Sequence, residues 1–107
     1  MKKSKQLKYE IIIGLKDKDT YLQMLPTSKF VEIVTTVCKK HKVGYSIQTM
    51  DGGYIHENGT YIEETSLSIS MVYITKKQAL EIAKHLKALF NQETVIVLEQ
   101  ETDSYLI

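Results

Sequence analysis

The chain has 107 residues, 43% of them apolar and 25% charged, which is enough to bury one core without disulfide or metal staples. Every basic residue is a lysine and the net charge is +1, so bidentate arginine readout of phosphate or guanine is excluded and a broad basic face is not expected. No apolar run approaches the roughly 18 residues of a membrane span, and "MKKSKQLKYE" carries lysines with no apolar stretch behind them. A single cytoplasmic domain over 1–107 is expected, with 1–6 as a flexible tail and 100–107 either docking or fraying.

The first strand is "LKYEIIIGL", where Leu7, Tyr9, Ile11, Ile13 and Leu15 alternate with Lys8, Glu10, Ile12 and Gly14. A charged loop of about ten residues follows to Pro26, a length that often marks function. From an N-cap at Thr27 or Ser28, Phe30, Ile33, Val34, Val37, Cys38 and His41 recur at helical spacing, which predicts a first helix over 28–42. "VGYSIQTM" predicts the second strand, and "DGG" after it predicts a bend or bulge. A third strand runs from the Asn58-Gly59 turn toward Ile74, with Leu67, Ile69, Met71 and Tyr73 on its apolar side.

Thr75 followed by Gln78 forms a capping box, and Ala79, Ile82, Ala83, Leu86, Leu89 and Phe90 make the apolar stripe of a second helix. "TVIVLEQ" closes the chain with a fourth strand, whose Ile96 and Leu98 between Val95 and Val97 predict burial on both faces. The order βαββαβ predicts an α+β, ferredoxin-like sandwich: a four-stranded antiparallel sheet with two helices on one face.

The stretches "IIIGLKDKDT", "GGYIHENGTYIEETSLSIS" and "LFNQETVIVLEQE" together resemble small ferredoxin-like proteins carried by plasmids and conjugative elements of low-GC Gram-positive bacteria. The resemblance carries no catalytic residues. What it implies is an accessory protein that acts by binding, such as a regulator, a transfer factor or an anti-CRISPR-like inhibitor.

The polar segment 52–64 holds the richest set of candidate residues. With Asn58 and Gly59 as the two centres of a type I′ turn, Glu57 faces Thr60, His56 faces Tyr61, Ile55 faces Ile62 and Tyr54 faces Glu63. That pairing gathers Tyr54, His56, Tyr61 and Glu63 on one side. Strict alternation turns Tyr61 and Glu63 toward the helices; a bulge between Glu63 and Ser66, or a tip that projects past the helices, leaves them wet. Tyrosines offer large rigid contact area for a partner, while cross-strand packing alone also accounts for them.

Other chemistry finds less support. His56, Glu57, Glu63 and Glu64 lie close in sequence, but His41 and His85 fall on separate helices, so no metal is expected. Cys38 and His41 are three apart, yet Cys38 falls on the apolar stripe and reads as a buried thiol. Gly52-Gly53 lacks any phosphate-loop pattern. Lys39, Lys40 and Lys42 complement the helix dipole, with a phosphate contact as the lesser alternative. A sheet face of Lys8, Glu10, Ile12, Gly14, Ser66, Ser68 and Ser70 offers no aromatic platform for RNA.

These readings favour a non-enzymatic protein-binding module without cofactor, an inhibitor of a host defence nuclease. Its contacts would come from Tyr54, His56, Glu57, Tyr61, Glu63, Asp17, Asp19 and Tyr21. The alternatives are a ligand binder or enzyme with His56 and Glu63 as an acid/base pair, and a lysine-dependent nucleic-acid accessory. Ile12, Val72 and Ile96 or Leu98 on the open sheet face predict a homodimer through the sheet.

Overall fold

The computed structural model describes residues 1–55 and 57–107. Its elements are β1 (Lys2–Gly14), α1 (Thr27–Lys40), β2 (Ser46–Ile55), β3 (Tyr61–Met71), α2 (Lys76–Leu89) and β4 (Ile96–Leu106). The four strands form one antiparallel sheet in the order β2-β3-β1-β4, the ferredoxin-like arrangement that the element order predicts.

β1 and β3 are the central strands, each paired on both sides. One row of the sheet reads Ile47, Ile69, Ile11 and Val97, all facing the helices. Tyr9, Ile13, Leu15, Leu67 and Met71 extend this face and are buried. From the other side Phe30, Val34, Val37 and Cys38 of α1 and Ala79, Ile82, Ala83 and Leu86 of α2 close the core. Phe30 meets Phe90 at a centroid distance of 4.7 Å, which locks the start of α1 to the end of α2. Burial pushes the Cys38 thiol up to about 11, so it stays protonated and unreactive at neutral pH.

The caps divide between confirmation and correction. Thr75 accepts from the Gln78 amide at 3.1 Å and its own N–H donates to Gln78 Oε1 at 2.9 Å, so the capping box forms as its spacing predicts. α1 instead begins after Pro26, with no side-chain cap, so neither Thr27 nor Ser28 holds the N-cap. Proline already fixes φ near the helical value and has no N–H to satisfy there.

Residues 2–6, expected as a tail, belong to β1. They pair with Thr102–Leu106, which are strand rather than a frayed end, and the two segments give each other the backbone partners that each lacks alone. Gly52 and Gly53, expected as a bend, lie inside β2 opposite Glu64 and Glu63. β3 ends at Met71, so Tyr73 leaves the core side with φ 59° and stands half exposed. Ile96 and Leu98 are 54% and 46% exposed, so burial of β4 on both faces does not occur within one copy.

One buried group lacks a partner among the described residues, the Tyr9 hydroxyl. Burial pushes its pKa upward and the Glu99 carboxylate on the neighbouring strand adds to that. Tyr9→Phe removes this desolvation penalty together with the Glu99 interaction, so its urea midpoint is expected to stay at or above that of the wild-type protein. By contrast, Leu86→Ala leaves a cavity in the helix–sheet interface and loses about 2–5 kcal/mol. Urea unfolding of the two variants separates these outcomes.

Candidate functional site

The register between β2 and β3 places the polar residues of the hairpin. Tyr54 pairs with Ile62 and Ile55 with Tyr61, one residue away from the register of a two-residue turn. Residues 56–60 therefore connect the strands, and only Gly59 of the Asn58-Gly59 pair takes a positive φ, at 84°. A type I′ turn needs positive φ at both centres; here Asn58 Oδ1 instead accepts the Thr60 N–H at 2.9 Å.

A shift of one residue exchanges faces. Tyr61 and Glu63 point to the helix side together with Asp51, Gly53 and Thr65, while Tyr54 goes to the open face with Gly52, Ile62 and Glu64. Tyr54 and Glu63 are therefore not neighbours on one face, and pairing is continuous from Ser46 to Ile55, which leaves no bulge to restore them. His56 lies outside the described residues, so its pairing with Tyr61 and its acid/base role with Glu63 do too. Glu57 is exposed at the tip.

What the structure brings together is an open groove of about 650 Å³ at this end of the sheet, past the helices. Tyr61 and Glu63 line it, joined by Lys16, Asp51, Thr65 and Glu64. Glu64 is its most constrained member. Its carboxylate sits over Gly14, within 2.5–2.7 Å of where a β-carbon on that residue would be, and its Oε2 accepts the Lys16 backbone N–H at 3.2 Å. Only glycine leaves room for that carboxylate. Thr65 donates to Asp51 Oδ1 at 3.1 Å across the strand pair, and the Tyr61 ring lies 3.8 Å from the β-carbon position of Gly53. Asp51, Glu63, Glu64 and Lys16 all line this groove, with the Asp51 and Glu63 side chains on the helix side and the Glu64 carboxylate on the open face over Gly14. Lys16, Asp51, Thr65 and Glu64 were not chosen from the sequence; the signal for Glu64 was the lone glycine ending an apolar strand.

The acids of the 15–26 loop are hydrogen-bonded within the fold. Asp17 Oδ1 accepts the N–H groups of Asp19 and Thr20 at 2.8 and 3.1 Å, and Asn91 Nδ2 donates to both Asp17 and Asp19. Asp17 and Asp19 therefore tie the loop to the end of α2, while Tyr21 stands 74% exposed with φ 59°. Among the described residues no three His, Cys, Asp or Glu side chains converge as a metal site requires. No helix is long and apolar enough to cross a membrane.

No protein-family model matches the chain, and no curated protein sequence does. Solved structures do match. A phage SAM lyase in complex with S-methyl-5′-thioadenosine superposes with a TM-score of 0.71, covering 90% of this chain and 81% of that one at 22% identity. CPII, a nitrogen regulatory PII-like protein from Thiomonas intermedia K12 bound to ADP, AMP and bicarbonate, gives 0.61 over 99% of each chain at 15% identity. CutA from Synechococcus elongatus PCC7942 gives 0.61 over 92% of this chain and 80% of its own at 13% identity. The fold is shared with all three.

These matches overturn the expectation of a non-enzymatic, anti-CRISPR-like inhibitor of a defence nuclease. That expectation rested on the view that a lone sheet with two helices offers surfaces for grip but no setting for bond-breaking. The phage lyase is an enzyme on the same frame.

Hydrogen bonds from Asn91 first, and from the Asp19 amide next, hold the Asp17 carboxyl below its ordinary pKa. A depressed folded-state value contributes stability that is present above the unfolded pKa near 3.9 and is lost as pH falls through the folded value. Asp17→Asn is therefore expected to flatten the acid limb of a Tm-versus-pH curve below about pH 4. An unchanged acid limb would assign the loop's hold to its backbone alone.

Proposed function

We propose that the protein is an enzyme that cleaves a carbon–sulfur bond of a sulfonium nucleoside of the S-adenosylmethionine type, with its site in the acidic groove. The observation that carries this reading is the groove at the hairpin end, with Asp51, Glu63 and the Tyr61 ring on its helix side and the Glu64 carboxylate fixed over Gly14 at its open-face rim. The common fold with a SAM lyase that holds S-methyl-5′-thioadenosine supports it.

The charge pattern suits such a substrate. A unit charge 4 Å from a carboxylate near a protein surface gains about 4 kcal/mol, against about 1 kcal/mol in bulk water, so the Asp51 and Glu63 carboxylates on the helix side favour a cation over a neutral nucleoside. When the bond breaks, sulfur keeps the electron pair and leaves as a neutral thioether, while the substrate's own carboxylate oxygen bonds to the carbon that sulfur vacates and closes a ring. The attraction ends with the charge, which favours release of the product. Tyr61 offers a ring face to the sulfonium or the adenine. Lys16 lines the same groove and supplies a cation that suits a substrate carboxylate.

Incubation with S-adenosylmethionine followed by chromatography and mass spectrometry tests the reading. Release of methylthioadenosine is expected, and Glu64→Gln is expected to slow it about a hundredfold, on the scale of lost electrostatic stabilisation. Gly14→Ala, which displaces the same carboxylate without altering it, is expected to lower the rate in parallel. Full activity in both variants, or no methylthioadenosine from the wild-type protein, would contradict the assignment.

The open sheet face supports a second copy as the protein's partner. Ile96 and Leu98 lie exposed on it as an apolar strip along β4. Leu98→Lys is expected to shift the light-scattering mass toward that of one chain; an unchanged mass would remove this interface.

A further inference from the structure

The opposite end of the sheet carries a second cleft, and its charge is the reverse of the first. It encloses about 590 Å³ where α1 runs into β2 and β3 into α2. Lys8 and Lys42 line it, with Tyr45 and Tyr73, Ser70 and Gln78, and no carboxylate is among its lining residues. Neither lysine has an ion pair among the described residues.

Two of these groups stand on constrained backbone. Lys42 follows the C-cap His41 and takes φ 57°, a left-handed position where glycine or asparagine is the cheaper residue. At the corresponding place after α2 the chain uses Asn91, with φ 50°. A lysine at such a position stores backbone strain that a smaller residue would relieve. Tyr73, with φ 59°, is the other lining residue in the left-handed region. Its hydroxyl is hydrogen-bonded to Ser104 on β4, which pins the ring across the sheet. Gln78 Oε1 is occupied by the Thr75 N–H, which leaves its NH₂ group as the donor at this cleft-lining residue.

We infer that this cleft binds a phosphoryl group, carried by a mononucleotide-sized aromatic compound. Two lysines match the charge of a phosphate monoester, about −1.5 to −2 at neutral pH. The serine and glutamine groups supply neutral hydrogen bonds. The cleft has several times the room that phosphate alone needs, and the half-exposed Tyr73 ring offers a stacking face to the remainder. The site stands apart from the acidic groove and does not depend on the reaction assigned there.

Calorimetric titration of the full chain with adenosine 5′-monophosphate, inorganic phosphate and adenosine tests the inference. Lys42→Gly is the decisive variant, because it relieves the left-handed strain while removing the charge. It is expected to keep or raise Tm and to weaken adenosine 5′-monophosphate binding at least about tenfold, the loss of one charge-assisted contact. Lys8→Gln is expected to do the same to binding. Tighter binding of the monophosphate than of inorganic phosphate assigns a nucleotide; equal affinity assigns free phosphate to the same site. Adenosine binding as tightly as its monophosphate, affinity unchanged in both lysine variants, or no binding of either phosphate compound at millimolar concentration would overturn it.

Discussion

The pairing register of β2 on β3 decides what this protein can do with its polar residues. Because side chains alternate strictly along a strand, placing Ile55 rather than His56 opposite Tyr61 sends Tyr54 to one face and Tyr61 with Glu63 to the other. The register is not free to slip. It is held by the same row that builds the core, in which Ile47 and Ile69 face the helices beside Ile11 and Val97. A slip by one residue would expose that row and bury serines in its place. The hydrophobic core therefore fixes the geometry of a groove that lies beyond it.

The two ends of the sheet have opposite chemistry. At the hairpin end Asp51, Glu63 and Glu64 line a groove with one lysine, and at the other Lys8 and Lys42 meet no acid. A net charge of +1 conceals this separation. The lysines and acids that alternate along the sequence are sorted by strand direction and by the ends of the helices. The resulting polarity makes a cation the natural occupant of one cleft and an anion that of the other. In the acidic groove the decisive contact is backbone-made: a glycine leaves the space and an amide N–H fixes the carboxylate that fills it.

The frame was legible in the sequence because it rests on periodicity. Alternation in β1 and β3, the helical stripes with buried Cys38 and Leu86, and the Thr75-Gln78 box each follow from local rules. What was not legible depends on distant partners. The Lys2–Gln6 stretch has no apolar pattern and becomes strand because Thr102–Leu106 pairs with it. The Asn58-Gly59 dipeptide signals a tight turn, yet the core row sets the register and the connection lengthens to suit. Asp17 and Asp19 look like surface charges until Asn91, far along the chain, is placed against them. Gly14 and Glu64 likewise meet only through the β1–β3 pairing.

The central claim is that the groove around Gly14 and Glu64 recognises a sulfonium nucleoside. Amide chemical-shift mapping during titration with S-adenosylmethionine tests it most directly, since binding is seen whether or not turnover follows. The account predicts that the largest changes fall on Gly14, Lys16, Gly53, Glu64 and Thr65. Changes confined to the Lys42–Ser46 end, or an unperturbed spectrum at millimolar ligand, would contradict it.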